Sequence, residues 1–309
     1  MNYKKLAELY ENLNSTTKRL EKIEILSKFL RYLSETDRNV MYLLLGRIYP
    51  EYDERKIGIS NQIAIKSISK ATGIPEKDVT KEWKTVGDLG EVAKKLTQRK
   101  KQTTLHSKML TTEKVLENLR KLPELQGKGT VGKKLALITE LLTSASPIEA
   151  LYLVRTLIGD LRIGMQESTI RESLAKAFFQ ENQIEAAKKI QNAIDKSNDL
   201  AIIFDIARKE KIAELDKVSL EVGKPIKAML AQKVESFAEG FKALGKPCAI
   251  EYKYDGFRLI IHKKNKQVIL FTRSLENVTQ QFPEVVEYIL KYVKGNSFIL
   301  DSEAVGFDS

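Results

Sequence analysis

The chain has 309 residues, 42% hydrophobic and 30% charged, with 16 Gly and 7 Pro, a composition that suits about two soluble globular domains. No apolar run approaches a membrane span, and Met1-Asn2-Tyr3-Lys4-Lys5-Leu6-Ala7-Glu8 holds no hydrophobic leader core. Formal net charge is +11, divided as +3 over residues 224–309 and +8 over the rest, which fits a polyanionic partner for the N-terminal part. A lone Cys248 excludes an internal disulfide and a cysteine-rich zinc site, and the only histidines are His106 and His262, so a structural metal is not expected. The expected setting is a reducing cytoplasm.

Residues 1–220 read as almost wholly helical. Leu6, Leu9 and Leu13 share one face; Ser15-Thr16 interrupts; Leu20, Ile23, Leu26, Leu30 and Leu33 then continue at spacings of three and four. Asp37 opens a helix over Val40 to Tyr49, ended by Pro50. Ile63, Ile65 and Ile68 mark another, closed by Gly73, and Pro75-Glu76 starts the next. Val115-Leu116-Leu119 and Leu135 to Leu142 follow the same rule. Pro147 sits at a first-turn position before Ile148 to Ile158, and a last long helix spans Ser168 to Phe179.

Three glycine-bearing turns precede expected helix starts: Val86-Gly87-Asp88-Leu89-Gly90-Glu91, Gly127-Lys128-Gly129-Thr130-Val131-Gly132-Lys133-Lys134, and Leu161-Arg162-Ile163-Gly164-Met165-Gln166. Backbone amides at such places suit a phosphate oxygen, and Lys128, Lys133, Lys134 and Arg162 add charge. Taken singly, each turn reads better as a joint between helices, and none has Walker spacing.

Near residue 220 the character changes. Gly223-Lys224-Pro225-Ile226-Lys227 breaks helical periodicity, and after Lys246-Pro247 the pattern alternates with period two, giving a strand-rich α+β unit with one helix, Phe282 to Tyr292. Its centre is Glu251-Tyr252-Lys253-Tyr254-Asp255-Gly256-Phe257-Arg258, read as a strand from Ala249 to Lys253, an Asp-Gly turn and a second strand from Phe257 to Lys263. A strand-end lysine can act as a nucleophile where a positive field or burial favours the neutral amine; otherwise it is a solvated residue beside a hairpin. Phe271-Thr272-Arg273-Ser274-Leu275-Glu276 reads as the end of the next strand. Phe298 to Val305 reads as a buried strand with Asp301 and Glu303 on one face, so a ribose hydroxyl or a metal is expected to partner these acids.

The string Lys253-Tyr254-Asp255-Gly256-Phe257-Arg258 resembles the nucleotidyl-acceptor motif of ATP-dependent DNA ligases, RNA ligases and mRNA capping enzymes. Leu20-Glu21-Lys22, Leu45-Gly46-Arg47-Ile48-Tyr49-Pro50, Gly87-Asp88-Leu89-Gly90, Ser146-Pro147-Ile148-Glu149-Ala150 and Leu161-Arg162-Ile163-Gly164 resemble the DNA-binding domain of archaeal and eukaryotic replicative DNA ligases. The resemblance implies an all-α helical DNA-binding domain over 1–220. Residues 221–309 would then be an incomplete α+β nucleotidyltransferase domain with an ATP-grasp-like ligase core.

By the resemblance, Lys253 is the adenylated nucleophile, Glu251 reads adenine, and Arg258 contacts the ribose. Arg273 contacts nucleotide or the 5′-phosphate of the nick, and Glu303 with Asp301 binds nucleotide or metal. Gly87, Gly90, Lys128, Gly129, Lys133, Lys134, Arg162, Gly164 and Arg273 would face DNA. ATP and Mg2+ are the implied cofactors, nicked double-stranded DNA the partner, with a monomer expected, association with the nucleoid implied and a sliding clamp left open. The family's later metal-binding glutamate, its K-x-K strand and its OB-fold domain have no counterpart in these 309 residues, so the chain reads as an N-terminal portion. An RNA ligase, a GTP-using capping enzyme and a non-catalytic DNA-binding module stand as alternatives.

Overall fold

A computed structural model describes residues 1–99, 109–127, 129–228 and 231–306. Two units emerge: Met1–Glu51, Arg55–Ile194 and Asp199–Val218 in one, Tyr52–Glu54, Asp195–Asn198 and Ser219–Ser309 in the other.

The first unit is helical: α1 (Tyr3–Asn14), α2 (Arg19–Tyr32), α3 (Val40–Leu43), α4 (Asn61–Thr72), α5 (Glu76–Val86), α6 (Leu89–Gln98), α7 (Thr112–Glu124), α8 (Thr130–Ser144), α9 (Pro147–Ile158), α10 (Glu167–Phe178), α11 (Gln183–Ser197), α12 (Leu200–Arg208) and α13 (Ile212–Asp216). Their starts are chemically marked. Asn2, Ser60, Asp88, Thr111 and Asp199 each accept a first-turn amide at the heads of α1, α4, α6, α7 and α12. The leucine stripes of α1 and α2 close the core, with Leu6, Leu13, Leu26 and Leu30 fully buried. Each such side chain stabilises the fold by roughly 1.5–3 kcal/mol. α9 is the central rod: every residue from Glu149 to Leu157 is buried, so it is surrounded rather than amphipathic. Among the described residues no helix is long and apolar enough to cross a membrane.

Two helical expectations need correction. The Val40–Tyr49 helix stops after Leu43, because Gly46 takes φ +69° while the Gly46 and Arg47 amides turn back to Leu43 and Tyr42. The helix expected to be last is followed by α11, whose buried stripe (Ala186, Ala187, Ile190, Ala193, Ile194) is built largely on alanine.

The second unit holds α14 (Phe237–Leu244), β1 (Phe257–Lys264), β2 (Gln267–Thr272), α15 (Pro283–Tyr292) and β3 (Ser297–Ala304). The strands form one antiparallel sheet in the order β2-β1-β3. β1 and β2 join through Asn265-Lys266, with Asn265 at φ +55°, a conformation asparagine tolerates in tight hairpins. One sheet face, with Leu259, Ile261, Val268 and Leu270, packs with Ile289 of α15 in a small core. The opposite face carries Arg258, Ile260 and His262 of β1 beside Glu303, Asp301 and Ile299 of β3. His262 is fully buried there; its Nδ1 accepts the Gly223 amide at 2.8 Å.

The strand expected over Ala249 to Lys253 does not form. The alternation is present, but no described segment offers it a hydrogen-bonding ladder, and Ile250, Tyr252 and Tyr254 remain exposed. Among the described residues β3 is likewise an exposed edge strand rather than a buried one, for it pairs there with β1 alone.

Candidate functional site

Arg258, Asp301 and Glu303 meet where β1 begins and β3 ends. Arg258 stands opposite Glu303 in the ladder, yet its guanidinium reaches diagonally to Asp301: Nε donates to Oδ1 at 2.8 Å and Nη2 to Oδ2. Diagonal neighbours on one face lie within reach of a long side chain, and the two-bond fork fixes the guanidinium plane. Arg258 is the partner that Asp301 has within the chain. Both acids lie on an exposed strand, where solvent reaches them.

Gly256 links this pair to the lysine motif. A Cβ at Gly256 would fall 2.5 Å from the Ala304 carbonyl oxygen and 2.9 Å from Glu303 Cγ. Glycine is thus required by the close approach of two backbones, not by a hairpin turn. Lys253 lies three residues before it in an exposed, irregular stretch with Glu251. Without a strand there, Glu251 and Lys253 do not share a strand face. Arg273 follows the last residue of β2 and is exposed. Its turn is organised by Thr272, whose Oγ1 accepts the Ser274 and Glu276 amides, and by Leu275, buried at φ +67°.

In the helical unit the three glycine turns prove chemically different. Gly87 ends α5 at φ +75°, and its amide donates to Trp83 O at 2.7 Å. Gly90 is buried and its amide donates to Asp88 Oδ1 at 2.8 Å. A Cβ at Gly90 would sit 2.8 Å from both Leu151 O and Arg155 Cγ, so this glycine lets α6 press against α9. Both amides expected to await a phosphate are thus engaged internally. Gly129 is exposed at φ +82° and heads α8 with no side chain to cap it; Lys133 is exposed and Lys134 half-buried in the following turn. Lys128 lies outside the described residues.

The third turn, between α9 and α10, is built. Leu161 and Ile163 face the core, while Arg162 and Gly164 face outward at φ +55° and +57°. Arg162 Nε donates to Asp160 Oδ2 at 2.6 Å and Nη1 to Asp88 Oδ2 at 3.3 Å. Asp88 also receives the buried Arg155, whose Nη2 lies at 2.8 Å. Burial alone would raise the Asp88 carboxyl, but Arg155 and the Gly90 and Glu91 amides outweigh it and hold it below the usual range.

Arg155 lies outside every motif, and Asp88 and Lys22 lie within motifs that give them no role of their own. Their signals were present: Asp88 occupies a helix-cap position with Glu91 three residues on, and Lys22 lies four and eight residues before Leu26 and Leu30, on the buried stripe of α2.

Residues 2–175 match the family described as DNA ligase N terminus, and residues 228–309 match the ATP dependent DNA ligase domain. The DNA ligase of Methanosphaera stadtmanae is 40% identical over 98% of this chain and 54% of its own length. That of Nanoarchaeum equitans is 37% identical over 100% of this chain and 53% of its own, and that of Nitrosopumilus maritimus 35% over 100% and 52%. The chain spans about half the length of the curated relatives it matches. A helical region matching one ligase family, followed in the same chain by a small sheet and a lysine motif matching the other, makes this chain a member of the ATP-dependent DNA ligase family.

Proposed function

We propose that this chain serves the sealing of nicks in duplex DNA, with residues 1–220 gripping the duplex and residues 221–309 contributing the first part of the adenylation domain, of ATP-grasp-like ligase-core type. The observation that carries this reading is the coverage of one chain by both ligase families, the second of them containing the Lys253 motif. In the proposed reaction the Lys253 amine attacks the α-phosphorus of ATP, forming a P–N bond as pyrophosphate leaves. The 5′-phosphate at the nick next displaces the lysine from AMP, and the 3′-hydroxyl finally displaces AMP. Each step is an in-line displacement at phosphorus, where positioning and charge neutralisation supply most of the rate.

The residues fit these roles chemically. Lys253 is exposed, and the Mg2+ that accompanies the triphosphate would supply the positive charge that favours its neutral amine. Glu251 is the proposed adenine reader. Arg258 is a fixed planar donor beside the stretch and the proposed ribose contact. Mg2+ takes one or two carboxylates plus substrate phosphate oxygens, and Glu303 with Asp301 offers that donor set. When bound there the ion would neutralise phosphate charge. Arg273, on an exposed turn, is the proposed contact to nucleotide or to the 5′-phosphate.

On the DNA side, Gly129, Lys133, Lys134, Arg162 and Gly164 are the proposed contacts. They bind phosphate and shape rather than sequence, as a nick sealer requires. Gly87 and Gly90 shape the helices beneath. The cytoplasm is the proposed compartment, at the nucleoid, and the active form is proposed to be a monomer.

Two measurements test the reading together. The full-length protein that contains this chain is incubated with ATP or GTP labelled at the α-phosphate, with Mg2+, beside its Lys253→Ala form, and the 309-residue chain is titrated against nicked, intact and single-stranded DNA. Label from ATP that Lys253→Ala abolishes, with salt-sensitive binding best at a nick, is the expected result. Label from GTP instead points to a capping-type enzyme. Nick binding without label in either nucleotide favours a DNA-binding module.

A further inference from the structure

The loop between α9 and α10 sits directly on a buried cation. Lys22 of α2 is 7% exposed, and its ammonium donates to Ile163 O at 2.5 Å and to Gly164 O at 3.2 Å. Among the described residues no carboxylate pairs with it. A buried ammonium satisfied by backbone carbonyls is a costly way to hold a loop unless the conformation itself is needed.

That conformation has a direct consequence. In a trans peptide the C=O and the following N–H point in opposite directions. With the carbonyls of Ile163 and Gly164 turned down to Lys22, the amides of Gly164 and Met165 are turned away from it. Neither amide donates to a protein acceptor among the described residues. Arg162 stands beside them, exposed, in a left-handed conformation that L side chains rarely adopt, its guanidinium steered by Asp160 and Asp88. Two successive outward amides next to a fixed guanidinium form a concave seat for one anion.

We propose that Lys22 is a positioning residue that locks this loop from beneath, holding the Gly164 and Met165 amides and Arg162 where a single backbone phosphate of the duplex meets them. This rests on the DNA-binding reading above and adds Lys22 and Met165 to it. Gly164 is then required twice over. Its φ is positive, and a Cβ there would lie 2.8 Å from Lys22 Nζ, so a larger residue would push the lysine off its carbonyls.

The test is a titration of the 309-residue chain with a labelled nicked duplex at several salt concentrations, for the unaltered protein and for Lys22→Met, Lys22→Arg, Gly164→Ala, Arg162→Gln and Lys22→Met/Arg162→Gln, each checked for folding by thermal melting. Loss of the seat should weaken binding severalfold and lower the salt slope by about one in Lys22→Met and in Gly164→Ala, although neither change removes an exposed charge. Lys22→Arg should recover part of the affinity, and the double variant should lose less than the two single losses combined. Should Lys22→Met not fold, Gly164→Ala carries the same prediction. Folded Lys22→Met or Gly164→Ala with unaltered affinity and slope overturns the seat while leaving DNA binding intact. Absence of salt-sensitive duplex binding by the unaltered chain removes the DNA-binding reading, and the seat with it.

Discussion

The helical unit and the sheet unit treat the charged residues of their candidate sites in opposite ways. In the first, Asp88, Arg155 and Lys22 are buried, and each is committed to a partner that fixes a helix end or a loop. In the second, Glu251, Lys253, Arg273, Asp301 and Glu303 are all exposed, and the Arg258–Asp301 fork is their main restraint. Recognition of a stiff, regular polyanion rewards groups placed before the partner arrives. Chemistry on a lysine needs a side chain free to reach and leave phosphorus. Changes in the first unit should therefore be felt in stability, and changes in the second in reaction.

The sharpest break between them is Lys253→Ala. In the full-length protein it should reduce labelling by ATP at least about a thousandfold, to background, because Lys253 is the proposed carrier of the nucleotide, while the melting temperature stays put. Substantial label remaining on the variant would place the nucleophile elsewhere. Asp88→Ala should act the other way, costing about 3–5 kcal/mol by leaving buried Arg155 with only Glu91, 3.6 Å away, and by removing the cap of α6. Urea unfolding followed by the fluorescence of Trp83 reads this directly, and a loss below 1 kcal/mol would mean that Arg155 finds water. Gly90→Ala should cost about 1–3 kcal/mol, since the new methyl meets the Leu151 backbone rather than a movable side-chain tip.

Acid sharpens the comparison further. Burial lowers the His262 imidazole from 6.5 to about 4. The unfolded chain takes up that proton first, so the contribution of neutral His262 is whole above pH 6.5 and drains away as pH falls towards 4. Asp88 is depressed instead, so its contribution persists above the ordinary carboxylate value of 3.8 and fails only below it. NMR of β1 amides beside the Trp83 indole should show the sheet loosening first, and His262→Gln should abolish that early phase. A single shared transition would contradict the two windows. The smallest effect is expected for Asp301→Ala: its pair with Arg258 is half open to solvent, so stability should change by less than about 1 kcal/mol even as ATP labelling falls.

Much of the helical unit was legible because leucine and isoleucine at spacings of three and four mark a buried stripe whatever the neighbours do. α11 was not, since alanine contributes little contrast to such a pattern. The Gly87-Asp88-Leu89-Gly90 turn showed its residue types plainly but not the destination of its amides, which depends on Asp88 turning inward to Arg155. Lys22 was hidden for a related reason: a lysine on a leucine stripe declares burial without naming an acceptor 141 residues away. In the sheet unit, alternation over Ala249 to Lys253 signalled two-faced character, but a strand exists only where another strand accepts its hydrogen bonds. Ladder partners are a property of the fold, not of the pentapeptide.

The open side of β3 bears on solubility as well as on catalysis. An unpaired strand edge invites a strand from another molecule, and Leu300, 39% exposed on β3, would favour such an encounter. Glu303 adds negative charge beside that edge, while the charge of Asp301 is matched by Arg258. Replacing Glu303 with threonine would keep the β-propensity and remove that charge, and aggregation should rise with concentration. A carboxylate proposed to hold metal or nucleotide would thus also discourage edge pairing between copies of this chain.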